Sequence, residues 1–324
     1  MGKELSIQKE LAETEDRMRD ILQDGNVSVH TLLHYLSERK GGLLRPKIVL
    51  LTAGMCGGIT EETYRAACMG ELLHQASLIH DDVVDNASER RNRASVNAIW
   101  DNKIAVLLGD NLLSRVLQLL SASALPELLK EVTRTVRCLT EGEISQLAQR
   151  GNLEMETADY DRIVYLKTAS LIETSFRWGA MSASASAERV EAFGAFGRAF
   201  GTAFQWRDDL KDFCGADGKG RYNDLREGEV TLPVLECMQG LCLAERADFR
   251  RLYGKAGKNE ADLAALAATI VRSGGWQRSV ARLKALGEEL QQRCRAFAPS
   301  PYRDDLLRLT EELSAPLSFE PREG

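Results

Sequence analysis

Only two prolines, Pro126 and Pro233, interrupt the long stretch between Pro46 and Pro299 of this 324-residue chain. Proline removes a backbone donor and breaks helix interiors, so long helices are permitted almost everywhere. Alanine, leucine, glutamate and arginine dominate, aromatics make up only 6%, and β-branched runs are few, which favours helix over sheet. The stretch KIAVLLGDNLLSRVLQLLSAS has apolar residues at three- and four-residue spacing and is nearly apolar on all sides in its first half. Such a helix is expected in the interior of a large bundle. EADLAALAATIVRSGGWQRSVARLKALGEELQQRCRAF reads as two amphipathic helices joined at Ser273-Gly274-Gly275. Further loops are expected at GADGKGRYND (215–224) and around Pro299. No solenoid repeat, low-complexity segment or long linker divides the chain. The expectation is one all-α domain over residues 1–324, with about a dozen helices.

Charge and cysteine usage narrow the function. A net charge of −6 argues against a general nucleic-acid binder, which needs a basic face. The seven cysteines are scattered and never form a CxxC pair, which reads as reduced thiols rather than a disulfide framework or zinc site. The charged, amphipathic N-terminus is unlike a signal peptide, and no run approaches the roughly 18 apolar residues of a membrane span. A cytoplasmic enzyme or binding protein is expected.

The chemistry concentrates in aspartates. LIHDDVVD places Asp81, Asp82 and Asp85 directly after an apolar run. If the helix continues through Asp85, Asp81 and Asp85 share one face, about 6 Å apart along the axis. Two carboxylates so placed suit a hard cation, and Mg²⁺ is commonly held by few protein ligands plus substrate phosphates. A solvated acidic helix end is the plainer reading of one such cluster. FQWRDDLKDF repeats the spacing at Asp208, Asp209 and Asp212, and two clusters facing each other across a cavity would hold several Mg²⁺ ions on one diphosphate. Arg90 and Arg91 follow the first cluster, Lys219 and Arg221 the second, and Lys167 stands in YLKTAS. Acidic clusters for metal and cations for phosphate oxygens describe a diphosphate site. The chain contains no GxxxxGK[ST] P-loop.

The blocks LLRPKIVLLTAG, ELLHQASLIHDDVVD, the Arg90-Arg91 pair, SVNAIWDNKIAVLLGDNLLSR, EGEISQ, YLKTASL and FQWRDDLKDF through GKGRYNDLREGEVTLPV run in order over roughly residues 25 to 315. This ordered set resembles the trans-type isoprenyl diphosphate synthases, the polyprenyl synthetase family. The resemblance implies a single-domain helical bundle of isoprenoid synthase type around a central active-site cavity. It also implies a homodimer that condenses isopentenyl diphosphate with an allylic diphosphate, farnesyl or geranylgeranyl diphosphate. Three Mg²⁺ ions per active site would stabilise the departing diphosphate. Asp81, Asp85 and Asp208 are implied as direct metal ligands, with Asp82, Asp209 and Asp212 in support. Arg90, Lys167 and Lys219 would hold the allylic diphosphate, with Thr168 and Gln205 lining its site. Arg45, His74 and Arg91 would hold isopentenyl diphosphate. No protein general base is evident; proton removal falls to the released diphosphate. His80, beside the aspartates, reads as a residue supporting them or as a packing residue, and the four tryptophans as core or interface aromatics.

Departures from the family pattern matter. Where GGKxxRP is usual, Lys40-Gly41-Gly42-Leu43-Leu44-Arg45-Pro46 stands. Either Gly42 occupies the lysine slot or, with a one-residue deletion, Leu43 does, and Lys40 or Lys47 would have to reach in instead. Asn92 replaces the glycine after the arginine pair, and Glu229 replaces a frequent lysine. These losses support an alternative, a non-catalytic or regulatory subunit of a heteromeric prenyl diphosphate synthase. A class I terpene cyclase is a further rival, but such enzymes carry a different second cluster. Product length is read from the turn before Asp81, where Ala76 and Ser77 are small. One isoprene unit is close to one helical turn of about 5.4 Å, so small residues there leave a tunnel open. The expected product is polyprenyl diphosphate of about thirty to fifty carbons; being insoluble in water, it would leave at a membrane surface by transient contact.

Overall fold

A computed structural model of the protein describes residues 5–23, 27–37, 41–90, 93–215, 221–317 and 319. Among these residues the fold is helical apart from one two-stranded antiparallel hairpin, β1 (Glu89–Arg90) with β2 (Arg93–Ala94). The described residues form sixteen α-helices, with the hairpin between the fourth and fifth. They open with α1 (Gln8–Gln23), α2 (Val27–Ser37), α3 (Leu44–Cys56), α4 (Glu61–Val84), α5 (Val96–Ile99) and α6 (Asn102–Ser121). The middle comprises α7 (Glu127–Gln149), α8 (Thr157–Val164), a π-helical turn (Tyr165–Ala169), α9 (Ser170–Ser182) and α10 (Ala187–Cys214). The chain continues with α11 (Asn223–Glu227), α12 (Leu232–Gly240), α13 (Leu243–Tyr253), α14 (Glu260–Arg272), α15 (Gly275–Arg295) and α16 (Pro301–Ser314). The break between α14 and α15 falls at the expected Ser273-Gly274.

Two compact units are present, each assembled from separated stretches of chain. The first comprises Met1–Arg137, Ser170–Arg198 and Cys294–Arg308; the second comprises Cys138–Ala169, Ala199–Arg293 and Leu309–Gly324.

In the first unit α4 packs against α3, α6 and α9. Its start is well specified. Thr60 accepts from the Thr63 backbone N–H, Thr63 accepts from the Thr60 N–H, and Glu61 and Glu62 occupy the first turn. This reciprocal cap and the acidic first turn satisfy the exposed N–H groups and complement the helix dipole. The core includes Ile48, Leu50, Leu51, Met69, Leu72, Phe176 and Trp178, each wholly excluded from solvent. Glycine permits close contact here: a Cβ at Gly197 of α10 would lie 2.7 Å from the Phe176 ring and 2.9 Å from Glu173 Cα.

The expectation that α6 lies in the interior is corrected. Leu108, Leu112, Val116 and the guanidinium-bearing Arg115 face inward, while Val106, Leu107 and Leu117 are 41%, 64% and 50% exposed. Arg115 bonds Asn111 and the Ile21 carbonyl of α1. The even spread of apolar residues thus covers two faces, and the helices packed on α6, chiefly α4 with α5, leave one of them open. By length and composition α6 would suffice to cross a membrane, with mean hydropathy 1.4 over its best window, contrary to the reading that no run comes near a span. His80 of α4 packs against Gly109 of α6, with Nε2 3.2 Å from the Val106 carbonyl, as its packing role requires.

In the second unit a Cβ at Gly142 of α7 would lie 2.6 Å from Lys167 N in the π-helical turn. That turn inserts an extra residue where two helices meet at backbone contact, a feature common at functional sites.

Candidate active site

The first acidic cluster closes α4. The helix ends at Val84, and Asp85 caps it with its N–H still bonded to Asp81 O at 2.9 Å. Asp81 and Asp85 therefore keep the one-turn relation, with Asp81 half-buried and Asp85 exposed. Asp82 turns the other way and is 1% exposed. Arg90 Nε donates to Asp82 Oδ1 at 2.5 Å, using one of the five guanidinium N–H donors. Asn97 ties the cluster down by donating to the carbonyls of Asp82 (3.3 Å) and Ala87 (3.1 Å). Along α4 toward its start, Ser77 is half-buried and Ala76 is 5% exposed. His74 is half-buried, its carbonyl accepting from Ser77 Oγ at 2.9 Å. Arg45 is buried in the first turn of α3, beside Gly70 of α4.

The second cluster, on α10, repeats this arrangement. Asp208 is exposed, while Asp209 is 5% exposed and receives three hydrogen bonds. The donors are the Tyr160 hydroxyl at 2.5 Å, Gln205 Nε2 at 2.8 Å and Leu232 N at 3.3 Å. Thr168 in turn donates to Gln205 Oε1 at 2.6 Å, so the two residues expected to line the allylic site form one chain ending on Asp209. Asp212 accepts from Asn223 Nδ2 at 3.0 Å and from Asp224 N at 3.1 Å, which caps α11. Lys167, in the π-helical turn, pairs with Glu143 Oε2 of α7 at 2.7 Å.

In both clusters, then, the middle aspartate is buried and bonded, while the first keeps more solvent access, half-buried at Asp81 and exposed at Asp208. Consecutive helical residues differ by about 100° around the axis, so a DD pair with one inward member leaves the other facing out.

Electrostatics fit a cation here. Burial pushes Asp209 up to about 7, against the lowering effect of its hydrogen bonds, and the charge of Asp208 adds to the rise. Burial and repulsion from Asp212, Asp209 and Asp208 hold Asp224 well above the usual carboxylate range. Tyr160 is held well above its ordinary value by burial and the Asp209 charge. Carboxylates that raise one another's proton affinity are in the condition a divalent cation relieves. Among the described residues no three metal-ligating side chains converge into a closed cage. The outward carboxylates are donors of the kind Mg²⁺ takes alongside substrate oxygens.

Three residues of the expected set or its surroundings, Arg91, Lys219 and Lys40, lie outside the described residues, as does Asn92. Tyr160, Asp224, Glu143 and Asn97 were absent from the sequence reading. Asn97, Glu143 and Asp224 lie within blocks that carry the family resemblance, but no role was read for them there, and Tyr160 lies outside every block. Glu229, in place of a frequent lysine, is buried against Arg150 (2.5 Å) and Gln146 (2.8 Å).

A profile of the polyprenyl synthetase family matches residues 26–270. Octaprenyl diphosphate synthase from Haemophilus influenzae is 36% identical over 230 residues, 70% of each chain. Heptaprenyl diphosphate synthase component 2 from Geobacillus stearothermophilus is 32% identical over 275 residues, 84% of this chain and 85% of the relative. Among solved structures, a polyprenyl synthase from Caulobacter crescentus complexed with calcium and isoprenyl diphosphate superposes with TM-score 0.89. The two share 29% identity, and the match covers 96% of this chain and 95% of that one. The chain belongs to the polyprenyl synthetase family. Its fold is the helical isoprenoid synthase fold, and its enzyme class is that of the trans-prenyltransferases, which elongate prenyl chains.

Proposed function

We propose that this chain is an Mg²⁺-dependent polyprenyl diphosphate synthase that adds isopentenyl diphosphate to farnesyl or geranylgeranyl diphosphate. The observation that carries the reading is the repeated cluster: Asp81 half-buried and Asp208 exposed, Asp82 and Asp209 buried and anchored. Asp81, Asp85 and Asp208 would hold Mg²⁺, three ions per site, which would neutralise the charge that develops on the departing diphosphate. Lys167, Arg90 and Lys219 bind the allylic diphosphate, with Gln205 and Thr168 shaping that end. Arg45, His74 and Arg91 bind isopentenyl diphosphate. Arg90, through Asp82, and Tyr160, through Asp209, keep each cluster's backbone fixed as charge moves, so little reorganisation is needed at the reaction step. The released diphosphate takes the proton.

Ala76, small and buried one turn before Asp81, leaves room for products of about thirty to fifty carbons. We read residues 1–324 as one cytoplasmic polyprenyl synthetase domain that works as a homodimer. The exposed apolar side chains Ile99, Val106, Leu107 and Leu117 of α5 and α6 support self-association. Release of an insoluble product calls for transient contact with a membrane.

The test is activity of the purified chain alone with Mg²⁺, labelled isopentenyl diphosphate and an allylic primer. Asp81→Ala and Asp208→Ala should each lower kcat by orders of magnitude while circular dichroism stays that of the wild type. Near-normal turnover in both variants would sink the two-cluster reading. The name of the Geobacillus relative, component 2, motivates the alternative of a non-catalytic subunit in a heteromeric synthase. An inactive wild-type chain that turns over only when a second subunit is added would establish that alternative.

A further inference from the structure

The aromatic residues beside the second acidic cluster form a stack that reaches past the last helix. Phe213, directly after Asp212, lies nearly parallel to Trp276 of α15 at 5.2 Å between centroids. It also meets the edge of Tyr222 at 5.2 Å. Phe319, beyond the end of α16, completes the stack at 4.9 Å from Phe213 and 5.3 Å from Trp276. Phe213, Tyr222 and Trp276 are all buried.

What this stack holds is a strained turn. Tyr222 has φ +66°, a left-handed conformation that a bulky side chain adopts only when its surroundings impose it. Its backbone N–H bonds the Asp212 carbonyl at 3.1 Å. The next two residues bond the Asp212 carboxylate itself, through Asn223 Nδ2 and Asp224 N. The Tyr222 turn therefore sets where the Asp212 carboxylate points. On the near side of the turn, Arg221 packs across Gly215. The Tyr222 ring rests edge-on against Phe213, and the Phe213 ring is fixed by Trp276 and Phe319.

We propose that Phe319 is a positioning residue for the second acidic cluster: by pinning Phe213, it holds the Tyr222 turn and thereby the orientation of Asp212 and the approach of Arg221. The consequence for substrate rests on the diphosphate reading above; the consequence for the turn does not.

Phe319→Ala and the ring-retaining Phe319→Tyr separate positioning from mere stability. In Phe319→Ala, KM for the allylic diphosphate and the Mg²⁺ concentration for half-maximal rate should each rise about threefold to tenfold, with kcat within about twofold. Tryptic cleavage after Arg221 in the substrate-free protein should speed up by a similar factor, while Phe319→Tyr behaves as wild type in every readout. A Tm drop in Phe319→Ala with KM and the Arg221 cleavage rate unchanged would overturn the proposal, as would no change in any readout. If the wild type proves inactive, the failure lies with the diphosphate reading, and the cleavage rate after Arg221 still decides whether Phe319 holds the turn.

Discussion

If Gly42 stands in the slot of the lysine usual in GGKxxRP, a longer side chain there has room. A Cβ there meets nothing within 4 Å, whereas Leu43, the other candidate for the lysine slot, sits at φ +48°, where side chains are already strained. Gly42→Lys should therefore lower KM for isopentenyl diphosphate without disturbing the fold. A charge-assisted hydrogen bond contributes about 1.5–3 kcal/mol, so the gain reaches roughly tenfold or more. Steady-state kinetics decide it: no improvement, together with a large loss in Lys40→Ala, would show that Lys40 already fills the role. Elsewhere in the first unit, Asp305 links distant stretches by accepting from Ser6 N at 2.5 Å, and it also accepts from Arg308. Burial raises its carboxyl, but the bonds from Ser6 and Arg308 outweigh burial and hold it below the ordinary range. A depressed carboxyl stabilises the fold above the unfolded pKa of about 4, and that contribution is lost as pH falls through the folded value. Asp305→Asn should thus cost about 1–3 kcal/mol in urea melts near neutral pH, with the gap closing below about pH 4. A gap that stays constant with pH would contradict the assignment.

Among elements, the junction of α7 with the π-helical turn matters most, because Lys167 depends on it. Gly142 lets the two backbones touch, and Glu143 beside it takes the Lys167 ammonium at 2.7 Å. A methyl group at position 142 would press on Lys167 N and the Leu166 carbonyl carbon, and backbone yields less readily than a side chain. Gly142→Ala should destabilise by about 1–3 kcal/mol and lower kcat as well, since Lys167 moves with the turn. Thermal melts and turnover measured together check this; an unchanged Tm would mean that the helices separate freely. The EGEISQ block was legible as a family element, yet the reason for its glycine was not. A close approach between residues 142 and 167 leaves no periodic trace in either segment. The exposed side of α6 is a similar case: its pattern shows which residues are apolar, and only the placement of α4 and α5 shows which of them are covered.

At the scale of the whole molecule, product length is the property that tests the reading most directly. Ala76 is buried on α4 one turn before Asp81, and a tyrosine there would occupy the path of a hydrocarbon running along the helix. Ala76→Tyr should shorten the product toward about fifteen to twenty carbons while turnover persists, by chromatography of the extracted prenyl chains. A wild type that already stops at fifteen carbons would place the block elsewhere. The helical class, the two DDxxD clusters and the order of the family blocks were legible in the sequence, because each depends on spacing within one helix. Proline scarcity permits long helices, and a four-residue spacing puts Asp81 and Asp85 on one face whatever surrounds them. Which carboxylate turns inward was decided by tertiary structure alone. Asp82 and Asp209 are buried because Arg90 in one unit, and Tyr160 and Leu232 in the other, arrive to satisfy them. A buried carboxylate is tolerated only with such donors in place; Arg90 stands eight residues from Asp82, but Tyr160 and Leu232 come from segments whose distance along the chain conceals their proximity to Asp209.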